Sequence, residues 1–166
     1  MVRVLRSAGL VFLLALASCL GPTAPYYPQV AATIPPVPAG QGRIYFYREY
    51  EPYESLSRPY LYLNRGIVGI SIPGGVFYRD VPPDTYEVSV YSPGVYPNQF
   101  KTIVVKPGDV FYAKIESLRS WFSGRSGTPG GEFQRDTFVV AIMDPNQARA
   151  EFERMRFVQA EQRAQP

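Results

Sequence analysis

Between Gly42 and Met143 the chain keeps repeating one device: a short run of tyrosine, phenylalanine, valine and isoleucine, then a break of proline, glycine, asparagine or aspartate. This rhythm permits few folds. Strands returning about every 8–14 residues across short turns mark a sandwich or small barrel rather than βαβ units. The runs are Arg43–Arg48, Tyr60–Asn64, Ile67–Ser71, Val76–Val81, Tyr86–Val90, Phe100–Val105, Val110–Glu116 and Asp136–Met143. In the first, Ile44 and Phe46 face one way while Tyr45 and Tyr47 face the other. Tyr86, Val88 and Val90 share a face, as do Phe138, Val140 and Ile142. Asn64-Arg65-Gly66, Pro73-Gly74-Gly75, Pro82-Pro83-Asp84 and Lys106-Pro107-Gly108-Asp109 supply the turn chemistry.

Two stretches break the rhythm. Residues 49–58 are polar and read as a loop. Residues 117–135 hold Trp121 and Phe122, followed by a run of serine and glycine, and form a Gly-rich loop. Helix signals occur once: Asp144 as cap, Pro145 at the first helical position and Gln147 three residues beyond the cap. Ala148, Phe152, Met155 and Val158 then fall near one face, with Arg149, Glu153, Arg154 and Arg156 mostly on the other. An amphipathic helix is expected over 144–162, whose short apolar stripe either docks on its own domain, the simpler reading, or meets a partner. The fold class expected is mostly β: a single antiparallel β-sandwich over 42–143 with one C-terminal α-helix.

The amino end has a different character. Arg3 and Arg6 precede ten residues, Ala8–Ala17, that are all apolar or glycine. A spanning helix needs about 17–25 residues, whereas an export signal's apolar core needs roughly 7–15. Leu16, Ala17 and Ser18 then lead into Cys19, the only cysteine. This arrangement resembles the lipobox of bacterial lipoprotein precursors. The resemblance implies cleavage after residue 18, with Leu16, Ala17 and Ser18 recognised by the signal peptidase. It also implies a diacylglycerol on the Cys19 thiol and an N-acyl chain on its new amino group. The bilayer is then a partner through those chains, each buried CH₂ contributing about 0.8 kcal/mol.

Residues 19–41 carry six prolines after position 19 and read as a semi-extended tether, excluded from helix and central strand. At about 3.1 Å per residue such a tether reaches roughly 60 Å, holding the domain off the bilayer. A second reading has part of it, Ile34–Val37, pack along the domain edge.

Charge and composition exclude several functions. Of 17 basic side chains, Arg3 and Arg6 fall in the signal, leaving 15 against 14 acidic ones. No basic run appears, so nucleic-acid binding has no support. Histidine is absent, which removes Cys/His zinc sites and Ser-His-Asp triads. No phosphate loop, Gly-x-Ser-x-Gly elbow or Ser-x-x-Lys is present. Glu49, Glu51 and Glu54 read as solvated loop carboxylates, and Asp80 and Asp109 as turn or strand-edge residues. Arg125 and Arg135 flank the Gly-rich loop, placed to meet a phosphate or carboxylate. The expectation is no enzyme, no metal and no cofactor beyond the covalent lipid.

Gly42-Arg-Ile-Tyr-Phe-Tyr-Arg48, Leu63-Asn-Arg-Gly-Ile-Val-Gly69, Tyr78-x-x-Val-Pro-Pro-Asp-Thr-Tyr-Glu-Val88 and Lys106-Pro-Gly-Asp-Val-Phe-Tyr112 resemble the DUF2846 family of bacterial, often lipidated proteins. The middle blocks are also similar to carboxypeptidase regulatory-like and PEGA-type sandwiches, which implies an immunoglobulin- or transthyretin-like architecture. The resemblance implies a diderm envelope, and Leu20 is not the aspartate associated with inner-membrane retention. The expected place is therefore the outer membrane, facing the periplasm. The expected role is non-catalytic: contact with an envelope protein or envelope maintenance. The alternative is a ligand- or glycan-binding module built on Trp121, Phe122, Arg125 and Arg135 together with tyrosines.

Overall fold

The computed structural model describes residues 24–50, 57–92, 100–118 and 137–159. Each expected strand is present: β1 (Gly42–Arg48), β2 (Tyr60–Leu63), β3 (Gly66–Ile70), β4 (Gly75–Val81), β5 (Asp84–Val90), β6 (Phe100–Val105), β7 (Val110–Leu118) and β8 (Thr137–Ile142). A short β9 (Arg156–Phe157) was not foreseen. Two sheets form, one ordered β8-β7-β1-β4-β9 and the other β3-β2-β5-β6. The two-sheet sandwich stands as expected. Two pairings in the first sheet, β1 with β7 and β4 with β9, are parallel rather than antiparallel. Parallel neighbours need long connections, and β4 together with the four strands of the second sheet lies between β1 and β7 in the chain.

The period-two alternation of β1 decides the layering. Ile44 and Phe46 enter the core between the sheets, with Leu61, Leu63, Phe77, Val88, Val90, Ile103, Ile115, Phe138 and Val140. Tyr45 and Tyr47 point to the opposite face, where they pack with Tyr112, Val76, Ala148, Phe152 and Met155. All seven positions of β1 are buried because both its faces are covered. Each large apolar side chain so buried contributes about 1.5–3 kcal/mol relative to exposure. Arg48, 1% exposed, shares the inner layer, its guanidinium 4.8 Å from the Phe138 ring centre and donating to the Ser57 carbonyl.

The β2–β3 hairpin turns through Asn64 and Arg65, both at positive φ (47° and 69°), a two-residue connection whose twist matches the strands. Within β3, Gly69 lies where a Cβ would come 2.5 Å from the Phe77 ring, so only glycine lets the sheets close there.

Helix α2 (Pro145–Phe152) covers the outer face of the five-stranded sheet, and α1 (Tyr27–Val30) is a single turn near the amino end. Asp144 caps α2, its carboxylate accepting from the Asn146 and Gln147 amides at 2.8 and 3.3 Å. The helix docks on its own domain, but it ends at Phe152 rather than near Gln162. The chain instead becomes β9, where Arg156 N donates to Gly74 O and Val158 N to Val76 O. Satisfying the otherwise open backbone of β4 outweighs further helical turns.

The tether also departs from expectation. Residues 24–41 lie on the domain, with one helical turn, α1 (Tyr27–Val30), then a 3₁₀ turn at Ala31–Thr33. Pro28 sits in the first turn, where its missing N–H costs nothing. Tyr27 packs on the helix-side layer, its ring 4.8 Å from that of Phe152. Backbone bonds Tyr27 N to Met155 O and Phe157 N to Pro25 O, both 2.8 Å, lay this segment along β9. Further on, Arg43 Nη1 donates to Pro35 O at 2.8 Å, which holds the Ile34–Val37 stretch at the domain edge.

Candidate interaction surface

The second sheet has one face in the core and one face outward. Leu61 and Leu63 go in, so Tyr60 and Tyr62 go out. Val88 and Val90 go in, so Ser89 and Tyr91 go out; Ile103 and Val105 go in, so Phe100, Thr102 and Val104 go out. Register brings these together. Tyr62 pairs with Ser89, and Ser89 with Phe100. Tyr91 N donates to Tyr60 O at 2.8 Å, setting those two side by side. Tyr91, Phe100 and Val104 are 54%, 50% and 58% exposed, among six large hydrophobic side chains in that state among the described residues. Partial burial, then the neighbouring phenols of Tyr91 and Tyr60, push the Tyr62 phenol above its ordinary range. Three phenols therefore share one small area. Apolar rings grouped on a sheet face, with Glu87, Thr85 and Thr102 exposed beyond them, fit a macromolecular contact better than a solvated surface. The β-sandwich is thus consistent with a protein-interaction module.

Several charged groups of the other sheet pair with opposite charges nearby. Lys114 Nζ lies 2.5 Å from Glu49 Oε2 and 2.9 Å from Glu151 Oε1, and Tyr47 Oη donates to Glu151 Oε2 at 2.7 Å. Glu49 is therefore not a free loop carboxylate but a partner of a lysine 65 positions away. Asp80 is likewise more than a strand-edge residue: it takes Arg43 Nε and Nη2 at 2.6 and 2.8 Å. Asp109 does act as a turn residue, accepting from the Lys106 amide. Burial works against ionisation of Glu151, yet the donors Lys114 and Tyr47 outweigh it and hold the carboxyl below its usual range. Burial, then the adjoining Glu151 carboxylate, push the Tyr47 phenol up. Burial lowers the Lys114 ammonium, but its bonds to Glu49 and Glu151 leave it raised overall.

These shifts predict a pH dependence. A depressed folded pKa contributes stability above the unfolded value of about 4.3, and that contribution disappears as pH falls through the folded value. The raised Lys114 contributes below about 10.4 and loses its share as pH climbs through its folded value. Glu151→Gln is expected to cost about 1–3 kcal/mol at pH 7. Its denaturation midpoint should also fall less steeply than the wild type's on acidification below about pH 5. Urea melts across that range read both, and parallel curves for the two proteins would remove the network from the account.

Cys19, Leu16, Ala17, Ser18, Trp121, Phe122, Arg125 and Arg135 lie outside the described residues, as do Glu51 and Glu54. Among the described residues no group of three acidic side chains is placed to hold a metal. The crevice between Phe46, Arg48, Leu61, Ser71 and Phe77 is too tight for a water molecule. The outer-face rings were not singled out from sequence. Their signal was the Tyr60-Leu-Tyr-Leu63 alternation, which puts two tyrosines opposite two core leucines. No family model, curated protein or solved structure matches the chain.

Proposed function

We propose that this chain is a lipid-anchored envelope protein whose non-catalytic β-sandwich makes contact with another protein through the outer face of its four-stranded sheet. One observation carries the contact surface: Tyr60, Tyr62, Tyr91 and Phe100 meet on that face, with Tyr91 and Phe100 half exposed. The lipobox-like Leu16–Cys19 carries the anchor, and Leu20 in place of an aspartate after it supports a periplasmic setting at the outer membrane. Aromatic side chains supply large contact area at low entropic cost, which is why they concentrate at interfaces.

A photoreactive residue placed at Tyr62 or Phe100 is expected to crosslink one defined protein in cells. The same group at Asn146, exposed on α2, should not. Cys19→Ala should move the protein out of the membrane fraction and abolish the crosslink. Equal labelling from all three positions would remove the assignment of this face. Enrichment of peptidoglycan fragments instead of a protein would favour the glycan-binding alternative.

A further inference from the structure

Given a lipid on Cys19, the distance that matters is from that residue to the first described point where the chain is fixed to the domain. That point is Ala24. Arg156 Nη1 donates to Ala24 O at 2.6 Å, and Phe157 N to Pro25 O at 2.8 Å. Tyr26 then bridges antiparallel to Arg156, whose guanidinium lies 4.4 Å from the Tyr26 ring centre. Only residues 20–23 separate the anchor from Ala24. At no more than about 3.6 Å per residue, this leader spans at most about 18 Å. The proline-rich stretch does not act as a long stalk, because residues 24–27 lie along β9 and Pro35 is held by Arg43.

We infer that the domain rests against the bilayer surface by its β9 edge. The occupant of that edge is a phospholipid headgroup layer, and the inference rests on the lipid-anchored reading above. The edge has the chemistry for it. Tyr26 is 43% exposed beside Arg156, and Arg154 is exposed just before it. Tyr50, 62% exposed, follows β1 and has its Cβ close to Gly74, whose carbonyl accepts from Arg156 N. Gly75 pairs with Arg48 on one side and Arg156 on the other, and Tyr26 bridges beyond Arg156, so Tyr26 lies about three strand spacings, roughly 14 Å, from β1. Tyrosine and arginine are side chains that partition to the headgroup layer, the ring half buried and the cation meeting phosphate. At the opposite edge β8 runs close to β6, about 20 Å or more away across the five strands.

Once Cys19 is acylated the chain has no free thiol, so a single engineered cysteine reports one position. Pro25→Cys, Arg154→Cys and Val104→Cys, all at exposed sites, would each carry a fluorophore. The probe is the full acylated protein in phosphatidylethanolamine–phosphatidylglycerol vesicles containing a headgroup nitroxide quencher. Quenching is expected to be several-fold stronger at positions 25 and 154 than at 104. Equal quenching at all three, in protein whose mass shows the acyl chains on Cys19, overturns the edge-on orientation and leaves the anchor standing. A mass without acyl chains overturns the anchor, and the orientation falls with it.

Discussion

Phe152→Ala is expected to destabilise the domain by about 3–5 kcal/mol, the cost of an aromatic removed from a closed core. Phe152 is fully buried, and its ring is central to the helix-side layer, with centroids of Tyr27, Tyr47, Tyr45 and Tyr112 at 4.8, 5.0, 5.5 and 5.8 Å. Edge-on aromatic pairs add about 0.5–1.5 kcal/mol each beyond area, and the rigid strands beneath limit collapse into the space left. A domain of ordinary stability, about 5–15 kcal/mol, would lose a large share of it. The effect should also be local. Tyr27 holds the N-terminal strap against this ring, so the Tyr27 and Phe157 amides, bonded to Met155 O and Pro25 O, should lose hydrogen-exchange protection ahead of the core strands. Phe152→Leu, which keeps most of the volume, is expected to cost less and to retain that protection. Urea denaturation with amide exchange reads both quantities. A cost under about 1 kcal/mol for the alanine variant would mean that the strap and helix are not one packed unit.

The strands were legible because their signal is local. Alternation in Ile44-Tyr-Phe-Tyr47 assigns faces without any knowledge of partners, and Pro-Gly breaks delimit each run. What covers the tyrosine face was not legible in β1 itself. Tyr45 and Tyr47 are buried by a helix a hundred residues away, and the acceptor for Tyr47 is Glu151 on that helix. The same distance hid the roles of Glu49 and Asp80. Each sits among polar or turn residues in sequence, while the cation that fixes it lies on another strand. At the C-terminus the apolar stripe of Ala148, Phe152 and Met155 named the right buried side chains. The helix still stopped early, because an open strand edge is a tertiary feature that helical periodicity cannot register. Proline count misled for a related reason: it excludes helix interiors and central strands, but not a one-turn helix or an edge contact.

Asp80→Ala should cost about 3–5 kcal/mol, because it leaves a buried guanidinium without its counter-charge. The Arg43 side chain is 4% exposed and that of Asp80 18%, and the two meet through paired N–H···O contacts of 2.6 and 2.8 Å. Register explains the meeting: Arg43 and Asp80 are direct partners across β1 and β4. The guanidinium is further confined by the Tyr78 ring, 3.9 Å from its carbon to the centroid, and by Pro35 O. Asp80 and desolvation act on Arg43 in opposite senses, and the carboxylate prevails, so the arginine stays charged at every accessible pH. Losing Asp80 therefore cannot be relieved by deprotonation, unlike a buried lysine. Arg43→Met with Asp80→Leu should recover much of the loss, since an apolar pair of similar volume often matches a buried ion pair. The double variant should nevertheless release Pro35 O from its donor and loosen the strap's junction with β1. A double-mutant cycle by urea denaturation measures the coupling. A cycle that closes additively, with Asp80→Ala costing under about 1 kcal/mol, would mean that solvent reaches Arg43 and that the strap is held by Tyr27 and β9 alone.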